Sequence, residues 1–293
     1  MALLVIIRML ILRDIKVLHL EPTDVCQAAC PLCARETDTN FKKDRQHHLS
    51  MNQILKEFDE EKIKHLDKMF MCGNYGDPAA GKHTLNIYQE FRKLNTDIVL
   101  GMNTNGGLQT TLWWHKLGRI LNQINDYVVF SIDGLESTNS TYRVNVNWTK
   151  LMANAEAFIA AGGSAHWDML VYRHNQHQVD ECKQLARDMG FKWFRAKVSK
   201  RGFTDRLEFP IGWQPIETKI SDSINCHALN EKSVYIDAQG NIGPCCWLGA
   251  RQQEFIADVN AIPTTDPICL SVCGTTSEGT AFKQQWQREV QLV

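Results

Sequence analysis

Between Ile15 and Ser199 the chain repeats one pattern, a short run of β-branched and aromatic residues followed by a segment of helical periodicity. The predicted strands are Val17–Leu20, Met69–Cys72, Ile98–Met102, Tyr127–Ile132, His166–Val171 and Trp193–Val198. Between them, Ser50 with Gln53 three residues on has the spacing of a capping box, and helices are expected over Thr84–Leu94, Leu112–Gln123, Trp148–Ala161 and Gln176–Met189. The last two stop at Gly162 and Gly190, where a helix end tolerates left-handed backbone. Strands that alternate with helices pair in parallel, because a parallel pair needs a crossover long enough to hold a helix. Six units fall short of a closed eight-fold barrel, which leaves an open doubly wound sheet or, the reading adopted, an α/β partial (β/α)6 barrel over residues 13–199. In both, ligands bind beyond the C-terminal ends of the strands.

The character changes after Ser199. Gly202, Pro210, Gly212 and Pro215 punctuate a connecting segment without periodicity, and a second module is expected over residues 225–293. There Ser233–Asp237 and Asn241–Gly243 flank a hairpin turn, and Thr280–Val290 has the look of a closing helix. At 293 residues and 44% hydrophobic content, the chain can bury one large core and one small one. Its 32 basic and 33 acidic residues leave a net charge of −1 with no basic footprint, so nucleic acid is not an expected partner. The apolar run Met1–Leu12 is broken by Arg8, is shorter than the ~20 residues of a spanning helix, and lacks a small-residue cleavage site. It reads as a tail or strand of a cytoplasmic protein with no membrane partner.

Ten cysteines in such a chain point to metal or redox chemistry, since a full core does not need disulfide staples. Cys26, Cys30 and Cys33 lie on the loop that leaves the first strand, close enough to converge on one centre. Thiolates are the ligands of iron–sulfur clusters. Three cysteines on a four-iron cubane leave one iron open, and an open metal position implies chemistry there. A zinc site would need a fourth ligand, such as His47 or His48, and the spacing of three residues then two is not that of paired zinc ribbons.

The run Cys26-x-x-x-Cys30-x-x-Cys33 after a first strand resembles the defining motif of the radical S-adenosylmethionine superfamily. The resemblance implies a [4Fe-4S] cluster whose open iron is chelated by S-adenosylmethionine, and reductive cleavage to a 5′-deoxyadenosyl radical that takes a hydrogen from substrate. One position departs from it: Leu32 stands where the family usually has an aromatic residue against the adenine. Gly76-Asp77-Pro78 is similar to the segment that binds the methionine amino group. Asn103-Thr104-Asn105-Gly106 resembles the Thr-Asn-Gly turn facing the site. Ser131 and Asp133 match positions serving ribose hydroxyls or substrate, and Arg143 one serving the carboxylate of S-adenosylmethionine.

A second group, Cys226, Cys245, Cys246, Cys269 and Cys273, resembles the SPASM or shortened twitch extension that carries auxiliary clusters. The Cys-x-x-Cys-x-x-x-x-x-Cys run of the full extension is missing, which argues for one auxiliary [4Fe-4S] cluster. Cys226, Cys245, Cys269 and Cys273 are the favoured ligands, Cys246 is the alternate, and structural zinc is the rival occupant. Cys72 and Cys182, like Trp113, Trp114, Trp148 and Trp167, read as packing residues, and His47 and His48 as solvated. The cofactor site is expected to be complete before Ser199, so that the second cysteine group is not needed for S-adenosylmethionine binding.

The resemblance implies a peptide or small-molecule substrate and a low-potential electron donor such as flavodoxin or ferredoxin. No general acid or base stands out. A non-catalytic iron–sulfur electron carrier and a zinc-stabilised interaction protein are the two rival readings.

Overall fold

The computed structural model describes residues 14–199, 202, 204, 206–212, 224–249, 267–274 and 290–291. The N-terminal apolar run and the expected closing helix, apart from Val290, lie outside the described residues, as does part of the connecting segment.

The described strands are β1 (Val17–Leu20), β2 (Lys68–Met71), β3 (Val99–Thr104), β4 (Tyr127–Ser131), β5 (Ala165–Val171), β6 (Trp193–Val198), β7 (Ser233–Ile236), β8 (Ile242–Gly243) and β9 (Val290–Gln291). They form one sheet in the order β8-β7-β1-β2-β3-β4-β5-β6-β9. The run from β7 through β6 is parallel throughout, and the short β8 and β9 pair antiparallel at the two edges. This is the expected partial barrel with one addition. β7, from the C-terminal part of the chain, lies in parallel register beside β1, with Leu20 opposite Ile236. The expected hairpin at residues 233–243 therefore extends the barrel sheet.

Helices pack on one face because their apolar stripes match it. The helix Thr84–Leu94 buries Ile87, Tyr88 and Phe91, one turn apart. The helix Thr111–Ile120 opens on Thr110, whose side chain accepts from Trp113 N at 3.3 Å, and buries Trp114 and Leu117. The helix Trp148–Ala160 is capped in the same way by Asn147 at 2.8 Å from Lys150 N. Trp114, Phe130 and Phe158 meet ring to ring where these two helices cover β4. Each such fully buried side chain contributes roughly 1.5–3 kcal/mol. Ser50 and Gln53 form the expected capping box at the head of the helix Met51–Glu57.

Some boundaries differ from expectation. β3 runs two residues further, so Asn103 and Thr104 are strand residues and the turn begins at Asn105. A helix at Glu136–Tyr142, rich in Ser, Thr and Asn, is added after β4. Gln176–Met189 divides into a 3₁₀ turn at Gln176–Gln178 and a helix at Val179–Asp188. Cys182 and Trp167 are buried in the core as expected. Among the described residues no helix is long and apolar enough to cross a membrane.

Successive strand residues point to opposite faces. Trp167 and Phe194 lie on the helix side, against Trp148 and Phe191. The inner face carries Tyr127, His166 and Trp193 in ring contact, with Asp168, Arg195 and Lys197 beyond them toward the strand ends. Gly101 sits on that face too, and a Cβ there would stand 2.3 Å from the Tyr127 ring, so the aromatic layer needs glycine at this point.

Candidate active site

The loops after β1, β2, β3 and β4 meet at the C-terminal end of the sheet. Cys26, Cys30 and Cys33 occupy the first, with Cys30 buried and the other two half-buried. N–H groups point at the sulfurs. Cys26 Sγ lies 3.4 Å from Ala28 N and 3.6 Å from the side-chain nitrogen of Asn105, and Cys30 Sγ lies 3.8 Å from Arg143 Nη1. Burial pushes the Cys26 thiol up to about 12 and that of Cys30 upward as well, with the neighbouring sulfurs adding to the shift.

The loop after β2, residues 72–77, is fastened on three sides. Glu21, 2% exposed at the end of β1, accepts from Tyr75 N at 2.7 Å and Gly76 N at 3.1 Å, and its other oxygen accepts from the Tyr235 hydroxyl of β7. Burial raises the Glu21 carboxyl above its ordinary range, and hydrogen bonds from Tyr235, Tyr75, Gly76 and Asn74 pull it back. Asn74 donates to the carbonyl of Cys246 at 2.7 Å. A Cβ on Gly76 would stand 1.9 Å from the carbonyl of Thr23, so only glycine lets this loop lie against the cysteine loop. Sequence reasoning missed Glu21 and Tyr235; the one local signal was a carboxylate at the end of an apolar strand.

Asp77 and the turn after β3 form a joint. The Asp77 carboxylate accepts from Ala79 N at 2.9 Å, Thr104 Oγ1 at 2.8 Å and Asn105 N at 2.7 Å. Its oxygens are thus occupied in tying two loops together, where the resemblance implied a free acceptor for an amine. Asn105 in turn takes Gln27 Nε2 at 2.7 Å, which links the turn to the cysteine loop. Pro78 is buried at the start of the 3₁₀ turn Pro78–Ala80. Asn103 lies on the inner face, and its Oδ1 is buried without a hydrogen-bond partner.

The resemblance implied Asp133 for a ribose hydroxyl; this carboxylate is fully buried, with Oδ1 accepting from Leu170 N at 2.6 Å and Oδ2 at ion-pair distance, 2.7 Å, from Arg143 Nε without hydrogen-bond alignment. Burial raises its pKa while Arg143 opposes the shift. Arg143 is the member of the pair that reaches the cysteine loop. Ser131 is half-buried at the end of β4. His47 and His48 keep solvent access, the His47 side chain at 41% exposure, while each is also hydrogen-bonded: His47 Nδ1 lies 2.6 Å from Asp24 Oδ2, and His48 Nδ1 lies 3.0 Å from Thr23 Oγ1.

The sequence model of the Radical SAM superfamily matches residues 20–189, from the end of β1 to the helix before β6, and so takes in all three cysteines and each of these loops. The chain belongs to the radical SAM superfamily. Among solved structures, that of Streptococcus suis SuiB bound to its precursor peptide SuiA is similar in fold, with TM-score 0.58 and 16% identity over 87% of this chain and 66% of SuiB. SuiB bound to S-adenosylmethionine gives 0.56 at 14% identity, and native anSMEcpe with bound AdoMet gives 0.54 at 14% identity over 78% of this chain and 74% of that one. This chain thus spans about two thirds of the length of SuiB. A search of curated protein sequences finds no match.

Membership in the radical SAM superfamily implies a [4Fe-4S] cluster and S-adenosylmethionine, and the three-cysteine loop fits the cluster. Each thiolate of a cubane takes a separate iron, so the sulfurs need not crowd one ion. Indeed, among the described residues no three His, Cys, Asp or Glu side chains are grouped as for a single metal ion. The N–H donors around Cys26 and Cys30 suit thiolate sulfur, and Arg143 brings positive charge to the same place.

The second cysteine group divides. Cys226, Cys245, Cys269 and Cys273 line one pocket with Ile224 and Leu248. Cys226 precedes the helix His227–Asn230, Cys245 follows β8, and Cys269 lies in the helix Pro267–Val272 with Cys273 just after its end, its N donating to the Cys269 carbonyl at 2.9 Å. Burial raises the thiols of Cys245 and Cys273. Cys246 is not in that lining. Its carbonyl accepts from Asn74 of the loop after β2 at 2.7 Å, and burial raises its thiol well above the ordinary thiol range, with Cys245, Cys72 and Glu21 adding to the shift. Tyr235, through Glu21, and the Cys246 carbonyl, through Asn74, support the loop after β2, so residues beyond Ser199 brace a loop of the expected cofactor site.

Proposed function

We propose that this radical SAM enzyme modifies a peptide or protein, with residues 13–199 carrying the catalytic cluster and residues 225–293 an auxiliary [4Fe-4S] cluster on Cys226, Cys245, Cys269 and Cys273. The observation that carries this reading is the pocket lined by those four cysteines directly beside the cofactor loop, to which it is joined through Asn74 and the Cys246 carbonyl. The fold shared with SuiB, whose structure holds a precursor peptide, supports a peptide substrate. The catalytic cluster, when bound, supplies the electron that cleaves S-adenosylmethionine, and a flavodoxin or ferredoxin is the expected source.

The chain's own residues do the positioning. Glu21 and Gly76 shape the loop offered to the methionine amine, Arg143 places a cation beside the cluster loop, and Asn105 braces Cys26. Gly76, Asp77, Pro78, Asn103, Asn105, Ser131, Asp133 and Arg143 remain the proposed cofactor shell, with Asp77 and Asp133 acting through the groups they hold.

Anaerobic reconstitution with iron and sulfide tests the reading. The intact chain is expected to load about eight irons, for two four-iron clusters. Replacing Cys269 and Cys273 together by Ala should remove one cluster's worth and leave uncoupled formation of 5′-deoxyadenosine. Stoichiometric zinc in the second site, or full iron in the double variant, overturns the auxiliary cluster.

A further inference from the structure

Every polar group of the buried Asn105 amide is used, and one of its N–H groups ends on a cysteine sulfur. Oδ1 accepts from Gly107 N at 2.9 Å and from Gln27 Nε2 at 2.7 Å. Nδ2 donates to Gln27 Oε1 at 3.4 Å and to Cys26 Sγ at 3.6 Å. Two lone pairs and two N–H groups are the whole capacity of an amide. The direction in which it points follows from its neighbours. Gly107 N is a backbone donor and meets only an acceptor, so Oδ1 faces the turn and Nδ2 faces the sulfur. Gln27, the residue after Cys26, then gives Nε2 to Oδ1 and takes an N–H on Oε1.

The surroundings hold this pair of amides in place. Asn154 Nδ2 donates to the Gly106 carbonyl at 2.8 Å and the Leu108 carbonyl at 2.9 Å, which fixes the turn that carries Gly107 N. A Cβ on Gly107 would stand 2.8 Å from Gln27 Nε2, so the pair occupies space that glycine leaves open. The sulfurs it approaches are not equivalent. Cys26 Sγ has Ala28 N at 3.4 Å as well as Asn105, whereas Cys33 Sγ lies 3.8 Å from the Asn74 carbonyl, which cannot donate. As a free thiol, Cys26 also donates to Gln27 Oε1 at 3.8 Å. A thiolate ligand has no proton to give, and Asn105 then supplies its side-chain donor.

We propose that Asn105, positioned by Gln27, raises the reduction potential of the cluster that Cys26 helps to hold, and with it the ease with which this chain takes up the electron that starts the reaction. Reduction puts more negative charge on the ligand sulfurs, an N–H aimed at a sulfur favours that charge, and hydrogen bonds to sulfur are among the levers that set such potentials. Gln27 is a positioning residue, acting only through the orientation of Asn105. The proposal rests on the cluster that membership of the radical SAM superfamily implies, and it is independent of the peptide reading and of the second cysteine group.

The test is a redox titration of the reconstituted holoenzyme, read by electron paramagnetic resonance. The signal that changes when S-adenosylmethionine is added identifies the cluster with the open iron, and its potential is then measured without that ligand. Asn105→Leu removes the N–H without adding charge, and its reduced fraction at a fixed potential should fall about tenfold, or 59 mV for a one-electron couple. Gln27→Met should shift the potential the same way by less. The double variant should fall no further than Asn105→Leu alone, since Gln27 acts through Asn105. Unchanged potentials in cluster-loaded variants overturn the proposal, and additive shifts overturn the positioning role of Gln27. Should Asn105→Leu fail to load iron, the wild-type protein still decides. With heavy nitrogen in the side-chain amide of its asparagines, pulsed resonance on the reduced cluster is expected to show a coupled nitrogen, and its absence overturns the N–H contact. A wild-type chain in which no signal responds to S-adenosylmethionine removes the cluster reading itself, an outcome distinct from a loaded cluster whose potential does not move.

Discussion

The hydroxyl of Tyr235 donates to the buried carboxylate of Glu21, across 214 residues of sequence. Glu21 in turn holds the backbone of Tyr75 and Gly76, so a residue from the C-terminal part of the chain braces the loop expected to meet the methionine amine. Tyr235→Phe leaves one carboxylate oxygen unsatisfied. The expected result is S-adenosylmethionine affinity lowered by about 1–3 kcal/mol, with the iron on Cys26, Cys30 and Cys33 retained. Equilibrium binding on the reconstituted protein checks it, and unchanged affinity would detach β7 from the cofactor site.

Gly76→Ala puts a methyl group against the Thr23 carbonyl, which is backbone and cannot rotate away. The loop has to lift from the cysteine loop, at a cost of about 1–3 kcal/mol in stability, as for other overpacked sites. The same variant should bind S-adenosylmethionine at least about tenfold more weakly, a difference of about 1.4 kcal/mol. Wild-type binding would mean that the loop is not clamped.

Cys245 and Cys246 are neighbours with different surroundings, one on the four-cysteine pocket and the other outside its lining, with its carbonyl held by Asn74. Cys245→Ser should therefore lower iron content by about one cluster, whereas Cys246→Ser keeps it. If the effects are reversed, the ligand set is wrong by one residue.

His19 is buried between Phe70 and Tyr235, with Nε2 donating to the Cys72 carbonyl at 2.7 Å. Burial is the main reason its pKa falls from 6.5 to about 4, with Lys68 adding to the shift against the opposing pull of that hydrogen bond. The unfolded chain therefore takes up the proton first as pH falls. The contribution to stability is complete above 6.5 and is lost toward 4, at about 1.4 kcal/mol per pH unit within that window. Denaturant unfolding at pH 7 and pH 5 should show a smaller drop for His19→Gln than for wild type. An equal drop would mean that His19 does not titrate in this range.

The parts of the structure legible in the sequence are those with local causes. Val17–Leu20 and Trp193–Val198 announce themselves as strands by composition, and the cysteine loop by spacing. Arg195 and Lys197, two apart on a strand, share a face by pleat alone. What escaped depends on pairing between distant segments. Nothing within Ser233–Ile236 says that it will lie beside β1, because that choice is made by the edge Val17–Leu20 leaves open. The Asp133–Arg143 ion pair escaped for a related reason, since a family motif records which residues recur and not which of them consume one another.

The placement of β7 also orders events during synthesis. Cys26, Cys30 and Cys33 leave the ribosome about two hundred residues before Tyr235, the partner of Glu21. Pairings this distant form late, because the loop between them must be closed first. The nascent chain therefore passes through a long interval in which its metal-binding thiols are present and the loop that will shield them is only half supported. Cluster insertion into a nearly complete barrel would protect those thiols better than insertion into the first units alone, and the last strand to join β1 sets the moment from which that protection exists.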